Sequence, residues 1–284
     1  MANTDSAAEQ ESVAADDHCH LMVEYLREVH QEITRLFEDA DFEGEFPTVF
    51  GNPDAENAEV AVQNMLALLL RKAQMHITVV IHASRNENLH SMAVHIRVIL
   101  ECAAWVAMQA HAAHGESPEA LNRVLNANEY DFQDAMLRAL HGSVGTDKLR
   151  ESIINARTGI GDDNAAPPQK VRITDRLQYL RGGRDMYDFI STHFASNRVD
   201  FLSGPSALGG VLSVSAGADR PAIALFLDYL AEQCALMLFN FGFVLIAING
   251  DSGPFEEASG LTDRVRADIA KFRSAVPTPS TASP

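Results

Sequence analysis

The sequence predicts an all-α fold, a bundle of about seven helices with long central apolar members. Two observations carry this. Apolar residues recur at helical spacing over most of the chain, and residues 58–83 and 89–114 are apolar on most sides, as central helices must be. The Pro and Gly residues that break helices gather between these stretches, as in the segment EDADFEGEFPTVFGNPDAEN.

Taken in order, residues 1–17 are Ala, Ser, Glu and Asp without apolar periodicity, and a disordered acidic arm is expected there. From about residue 19 to 39, Leu21, Val23, Leu26, Val29, Ile33 and Leu36 mark an amphipathic helix with an acidic outer face. After the loop come the two central helices, separated by the polar break SRNEN and closed at Gly115. Ser117, Pro118 and Glu119 open a further helix to about residue 141, because Ser suits the cap and Pro the first turn.

A shorter helix is expected over 146–157, then a flexible linker near 158–170. Residues 172–195 read as one or two helices broken at Gly182 and Gly183, and 197–219 as a loop with room for a small hairpin. Pro221 opens a large helix to about residue 249, and a short amphipathic helix over 260–273 follows. Residues 274–284 are expected to be a disordered tail, which leaves one helical domain over 18–273.

Composition narrows the function classes. The chain has 284 residues, 46% hydrophobic and 21% charged, which is ordinary for a globular protein. Its net charge of −17 argues against a surface that coats nucleic acid, since phosphate binding needs clustered Lys and Arg. That charge is uneven. Residues 1–60 hold sixteen acidic and two basic side chains, a net of −14, which leaves −3 for the remaining body. A local cleft for RNA therefore stays open, and the acidic arm could mask a basic site or meet a basic partner.

Three distant cysteines and no basic-then-apolar leader point to a reduced, cytoplasmic protein. The uncharged run 233–248 is shorter than the roughly 20 residues a membrane span needs. It reads as a core helix, with Phe226, Leu230, Met237, Phe241 and Leu245 as its stripe, and no membrane association is expected.

The sharpest local pattern is Arg85-Asn86-Glu87-Asn88-Leu89-His90 at the start of a helix. Imidazole titrates near neutral pH and guanidinium matches phosphate geometry, so His and Arg together suit phosphodiester chemistry. The structural alternative is a polar interhelix turn in which Asn86 or Asn88 caps the next helix. The pattern resembles the R-N-x-x-x-H signature of the HEPN superfamily, helical bundles that include metal-independent ribonucleases of toxin–antitoxin and phage-defence systems. The resemblance implies His90 as general acid/base, Arg85 as transition-state stabiliser, Asn86 as a positioning group, and a site assembled across a homodimer.

Further along the same helix, His90, Arg97 and Glu101 fall on one face, and Arg97 and Glu101 are four apart and able to pair. Their apolar neighbours suggest partial burial, which marks either a site or a structural clamp. The segment SMAVHIRVILECAAW also resembles the central helix of an uncharacterised group of bacterial all-helical proteins. That group pairs an Arg and a Glu four later with a Tyr-x-x-(Leu/Ile)-Ser…His segment, matched here by Tyr187, Ser191 and His193. The resemblance implies one polar pocket made of Arg97, Glu101, Tyr187, Ser191 and His193.

Metal chemistry finds little support. Asp16, Asp17, His18, Cys19 and His20 lie together in sequence, and His111 and His114 are three apart, but no H-x-x-x-H or C-x-x-C spacing occurs. His76 and His82, six apart, share no helix face well. No metal and no cofactor is expected. Gly-rich phosphate loops and nucleophile elbows are absent as well. Two readings result. One is a homodimeric helical interaction or regulatory protein of a bacterial defence or stress module, with a protein partner. The other is a HEPN-like ribonuclease using Arg85 and His90, with RNA as its substrate.

Overall fold

A computed structural model describes residues 2–39, 55–115, 171–194 and 220–275, with scattered positions between 127 and 154. Among the described residues there are helices and no strands. The helices are α1 (Ala2–Asp39), α2 (Ala55–Arg85), α3 (Leu89–Gly115), α4 (Ile173–Leu177), α5 (Gly183–His193), α6 (Arg220–Asn249) and α7 (Gly253–Ala275). Most of the expected helix over 117–141, the linker 158–170 and the loop 197–219 lie outside the described residues.

Two helices start earlier than their periodicity indicates. Helix α1 runs from Ala2, through the segment expected to be a disordered arm. That segment is rich in Ala and free of Gly and Pro, so the two strongest helix breakers are absent from it. Its buried face begins at Ala15 and continues through His18, Met22, Leu26, Val29 and Ile33 at helical spacing. Helix α7 begins at Gly253 and not at 260. The start is set by polar groups at its N-terminus. Asp251 Oδ1 accepts the Gly253 N–H at 3.0 Å, Ser252 Oγ donates to Glu256 Oε1 at 3.1 Å, and Pro254 occupies the first turn.

Helix α3 is the centre. Met92, Ala93, Ile96, Ile99, Leu100, Ala104 and Val106 are wholly buried, and the helix packs on α2, α6, α4 and α5. Its alanines let the neighbours approach closely. A tight turn joins α2 to α3. Glu87 takes a left-handed conformation (φ 53°), Asn88 Oδ1 accepts the Ser91 N–H at 2.9 Å and so caps α3, and Asn86 Nδ2 donates to His82 O at 2.8 Å. The sequence left open which Asn caps; it is Asn88.

Helices α6 and α7 form a hairpin that touches backbone to backbone. A Cβ at Gly242 would stand 2.5 Å from Phe255 N, so only glycine fits. Helix α1 is tied to this hairpin by polar contacts. His18 Nε2 pairs with Asp228, both side chains being 4% exposed, and the His18 ring stacks on Phe272 at 3.7 Å. Arg273 Nε lies 3.5 Å from the other Asp228 oxygen. Tyr25 donates to Asp268 Oδ2 at 2.6 Å, and burial together with that carboxylate pushes its pKa up to about 12.

By length and composition, Leu89–His114 and Ile223–Ile248 could each cross a membrane; the second extends well beyond the uncharged run 233–248. Most of the first window and half of the second is buried inside the bundle. Cys19, Cys102 and Cys234 are all buried thiols, and burial pushes the Cys102 thiol up to about 12.

Removing His18 leaves the buried Oδ1 of Asp228 without its hydrogen-bond partner, while Arg273 still faces Oδ2. His18→Ala is therefore expected to lower the unfolding free energy by about 3 kcal/mol. His18→Ala combined with Asp228→Ala is expected to cost less than His18→Ala alone. Urea titration of the variants measures both.

Candidate functional site

The site grows from two features of α3 and one of the α4–α5 corner. Arg97 and Glu101 lie one turn apart on α3, and the corner must cover them. Helix α4 is anchored lower on the same helix, with the Arg176 guanidinium 4.4 Å above the Trp105 ring and Tyr179 5.1 Å from the His111 ring. The chain then turns at Gly182, which is left-handed (φ 67°) and caps α5. At Gly183 a Cβ would stand 2.6 Å from Leu180 Cβ and 2.8 Å from Leu177 O, so this position admits no side chain. Helix α5 then places Tyr187, Ile190 and Phe194 in the core, as the expected break at Gly182 and Gly183 allows.

Tyr187 meets the α3 pair directly. Arg97 Nε–H donates to Tyr187 Oη at 2.9 Å, and the Tyr187 hydroxyl donates to Glu101 Oε1 at 2.9 Å. Arg97 Nε stands 3.6 Å from the same carboxylate oxygen. The guanidinium also lies over the Tyr187 ring, 4.7 Å from its centroid. Burial, and then the Glu101 charge, raise the Tyr187 pKa, so the phenol keeps the proton it donates. The Arg97 and Glu101 side chains remain 38% and 34% exposed, open to a solute.

This arrangement occupies one edge of the guanidinium and leaves the other. Nη1 and Nη2 of Arg97 make no hydrogen bond to a described residue. One turn beyond Tyr187, the Ser191 Oγ is buried and has no hydrogen-bond partner among the described residues. A guanidinium fixed at Nε and stacked on its face presents its Nη edge to a carboxylate or phosphate. Glu101 balances the Arg97 charge, which favours a singly charged group over a dianion.

Of the five residues expected in this pocket, three are joined by hydrogen bonds and Ser191 sits one turn from them. His193 ends α5, and its side chain lies outside the described residues. The ribonuclease residues are elsewhere. Arg85 ends α2, Asn86 is tied to His82, and His90 is in the first turn of α3; all three are exposed. His90 shares a face with Arg97, but seven residues of helix separate them by about 10 Å.

The histidines are arranged differently from their sequence groupings. His18 and Cys19 turn inward while Asp17 and His20 are exposed, so the 16–20 cluster does not converge. His111 faces Tyr179 and His114 faces Phe243 at 5.5 Å, on separate elements. What spacing missed is a pair across helices: His76 Nδ1 on α2 is 2.7 Å from His95 Nδ1 on α3. The two stand ten residues before and nine after Asn86, which is the one signal an antiparallel hairpin offers. Among the described residues, no three His, Cys, Asp or Glu side chains gather as a metal cage would require.

Three outcomes are expected. Tyr187→Phe keeps the ring and loses both hydrogen bonds, at a cost of about 1 kcal/mol in a urea titration. Gly183→Ala forces the corner apart and costs about 1–3 kcal/mol. The third concerns pH. Burial, then His95 and Lys72, hold His76 below its ordinary 6.5; burial and then Arg71 do the same for His30. Below pH 6.5 the unfolded chain therefore binds more protons than the folded one, and stability is lost as pH falls through that region. Melting temperatures in chelator-containing buffer should fall as pH drops from 7, and less steeply for His76→Gln.

No family model matches the chain, and no curated protein or solved structure is similar to it.

Proposed function

We propose that this chain is a helical interaction or regulatory protein that holds a singly charged acidic group of its partner, a carboxylate, at Arg97. The carrying observation is the fixed guanidinium: Tyr187 accepts from Nε and underlies the face, while Nη1 and Nη2 bond no described residue at a partly exposed position. Ser191 Oγ, one turn beyond Tyr187 on α5, has no hydrogen-bond partner among the described residues. Buried thiols at Cys102 and Cys234, neither in a disulfide, suit a reducing, cytoplasmic setting. Leu68 and Met75, exposed seven residues apart on α2, are the surface this reading offers to a second copy in a homodimer. A bacterial defence or stress module is the setting it assumes.

Acetate serves as a carboxylate probe. At constant ionic strength it is expected to raise the melting temperature of the wild type and to have no such effect on Arg97→Ala. Equal shifts in both would contradict the reading.

A second reading, metal-independent RNA cleavage by Arg85 and His90, is favoured by one observation: both side chains are exposed on a single short turn, within reach of a large substrate. RNA-cleavage and growth-toxicity assays of wild type, Arg85→Ala and His90→Ala separate the two. The interaction reading expects the same behaviour from all three proteins. Cleavage or toxicity lost in either variant would replace it with the ribonuclease.

A further inference from the structure

The His76–His95 pair is independent of the Arg97 site and plays no part in the function proposed above. Its imidazoles come from two helices that pack against one another. Both side chains are neither buried nor fully exposed, and the ring centroids are 4.9 Å apart at 44°. The contact is Nδ1 to Nδ1 at 2.7 Å. Two neutral imidazoles in that geometry share a single proton: one ring donates and the other offers its lone pair.

We infer that His76 and His95 are the two protein ligands of an open site for a borderline divalent metal ion, with Zn²⁺ as its type. The geometry is close to what such an ion needs. Tetrahedral Zn–N bonds of about 2.0–2.1 Å place two ligand nitrogens about 3.3 Å apart, so the rings need to separate by only about 0.6 Å. Nothing has to be ionised. The ring that donates through Nδ1 gives that proton to water while its Nε2 takes one up, and both rings tilt so that their Nδ1 lone pairs converge on the metal.

The surroundings support this. Both rings stay partly open to solvent, so an ion can reach them. Cys102, one heptad beyond His95 on α3, is buried about 10 Å further along the helix, too far to share the ion. Since no third His, Cys, Asp or Glu joins the pair among the described residues, water fills the remaining positions. An open site of this kind binds more weakly than a closed structural one, and its water positions can exchange for ligands from solution.

Calorimetric titration of the full chain with ZnCl₂ tests the inference. One equivalent is expected to bind with a rise in melting temperature, and His76→Ala and His95→Ala are each expected to weaken binding at least about tenfold. His76→Gln and His95→Gln, which preserve a polar side chain of similar reach, serve as the folded controls, with circular dichroism as the check. They should lose the binding while keeping the wild-type helix signal. Zn²⁺ binding unchanged in folded His76→Gln and His95→Gln would overturn the assignment by placing the metal at other histidines. A wild type that shows no Zn²⁺-dependent heat or melting shift would overturn it outright.

Discussion

The structure depends on the burial of α3. Most of the helix is buried, and charged side chains at the rim of such a surface need polar partners, because a charge withdrawn even in part from water is costly when unpaired. Arg97 and Glu101 are the two charged residues that α3 carries between Leu89 and Gly115. The α4–α5 corner answers this constraint. Trp105 and His111 hold α4, Gly182 and Gly183 turn the chain, and Tyr187 arrives between the two charges with a hydroxyl able to accept from one and donate to the other. The pair is satisfied without being sealed from solvent, which is the condition for a recognition site.

A second polar junction performs a different task. His18, Asp228, Phe272 and Arg273 join α1 to the α6–α7 hairpin through a buried pair, a ring stack and a third, solvent-facing cation. Around its edge, Arg264 pairs with Glu28, and Arg35 with Glu257. Arg264 thus meets one acidic side chain of the first 60 residues, whereas Arg35 of that segment reaches an acidic side chain of α7. The exposed pairs contribute little to stability. Their arrangement nonetheless shows that the acidic face of α1 is partly turned toward its own α7 and is not wholly available to a basic partner.

The fold was legible where one period ruled a long stretch. The limits of α2 and α3, the break at Gly182 and Gly183, and the start of the large helix at Pro221 all follow from apolar spacing and from Gly and Pro chemistry. Helix starts were less legible. Neither Ala2 nor Gly253 opens an apolar stripe, since the first turns of α1 and α7 lack one, and local propensity and capping decide there. Of the site, Arg97 and Glu101 were legible because both lie on one helix. Tyr187 required a resemblance to bring it in, because the distance of 86 residues between it and Glu101 is invisible to any local pattern. The His76–His95 and His18–Asp228 contacts were missed for the same reason. Each depends on how two separate helices register, and spacing along one helix carries no record of that.

The central claim is that Tyr187 immobilises the Arg97 guanidinium and leaves its Nη edge presented to solvent. Side-chain ¹⁵N NMR of Arg97 tests this most directly. The account predicts a slowly exchanging Nε–H and restricted rotation about the Nε–Cζ bond in the wild type, both lost in Tyr187→Phe. A rapidly exchanging, freely rotating Arg97 in the wild type would contradict it.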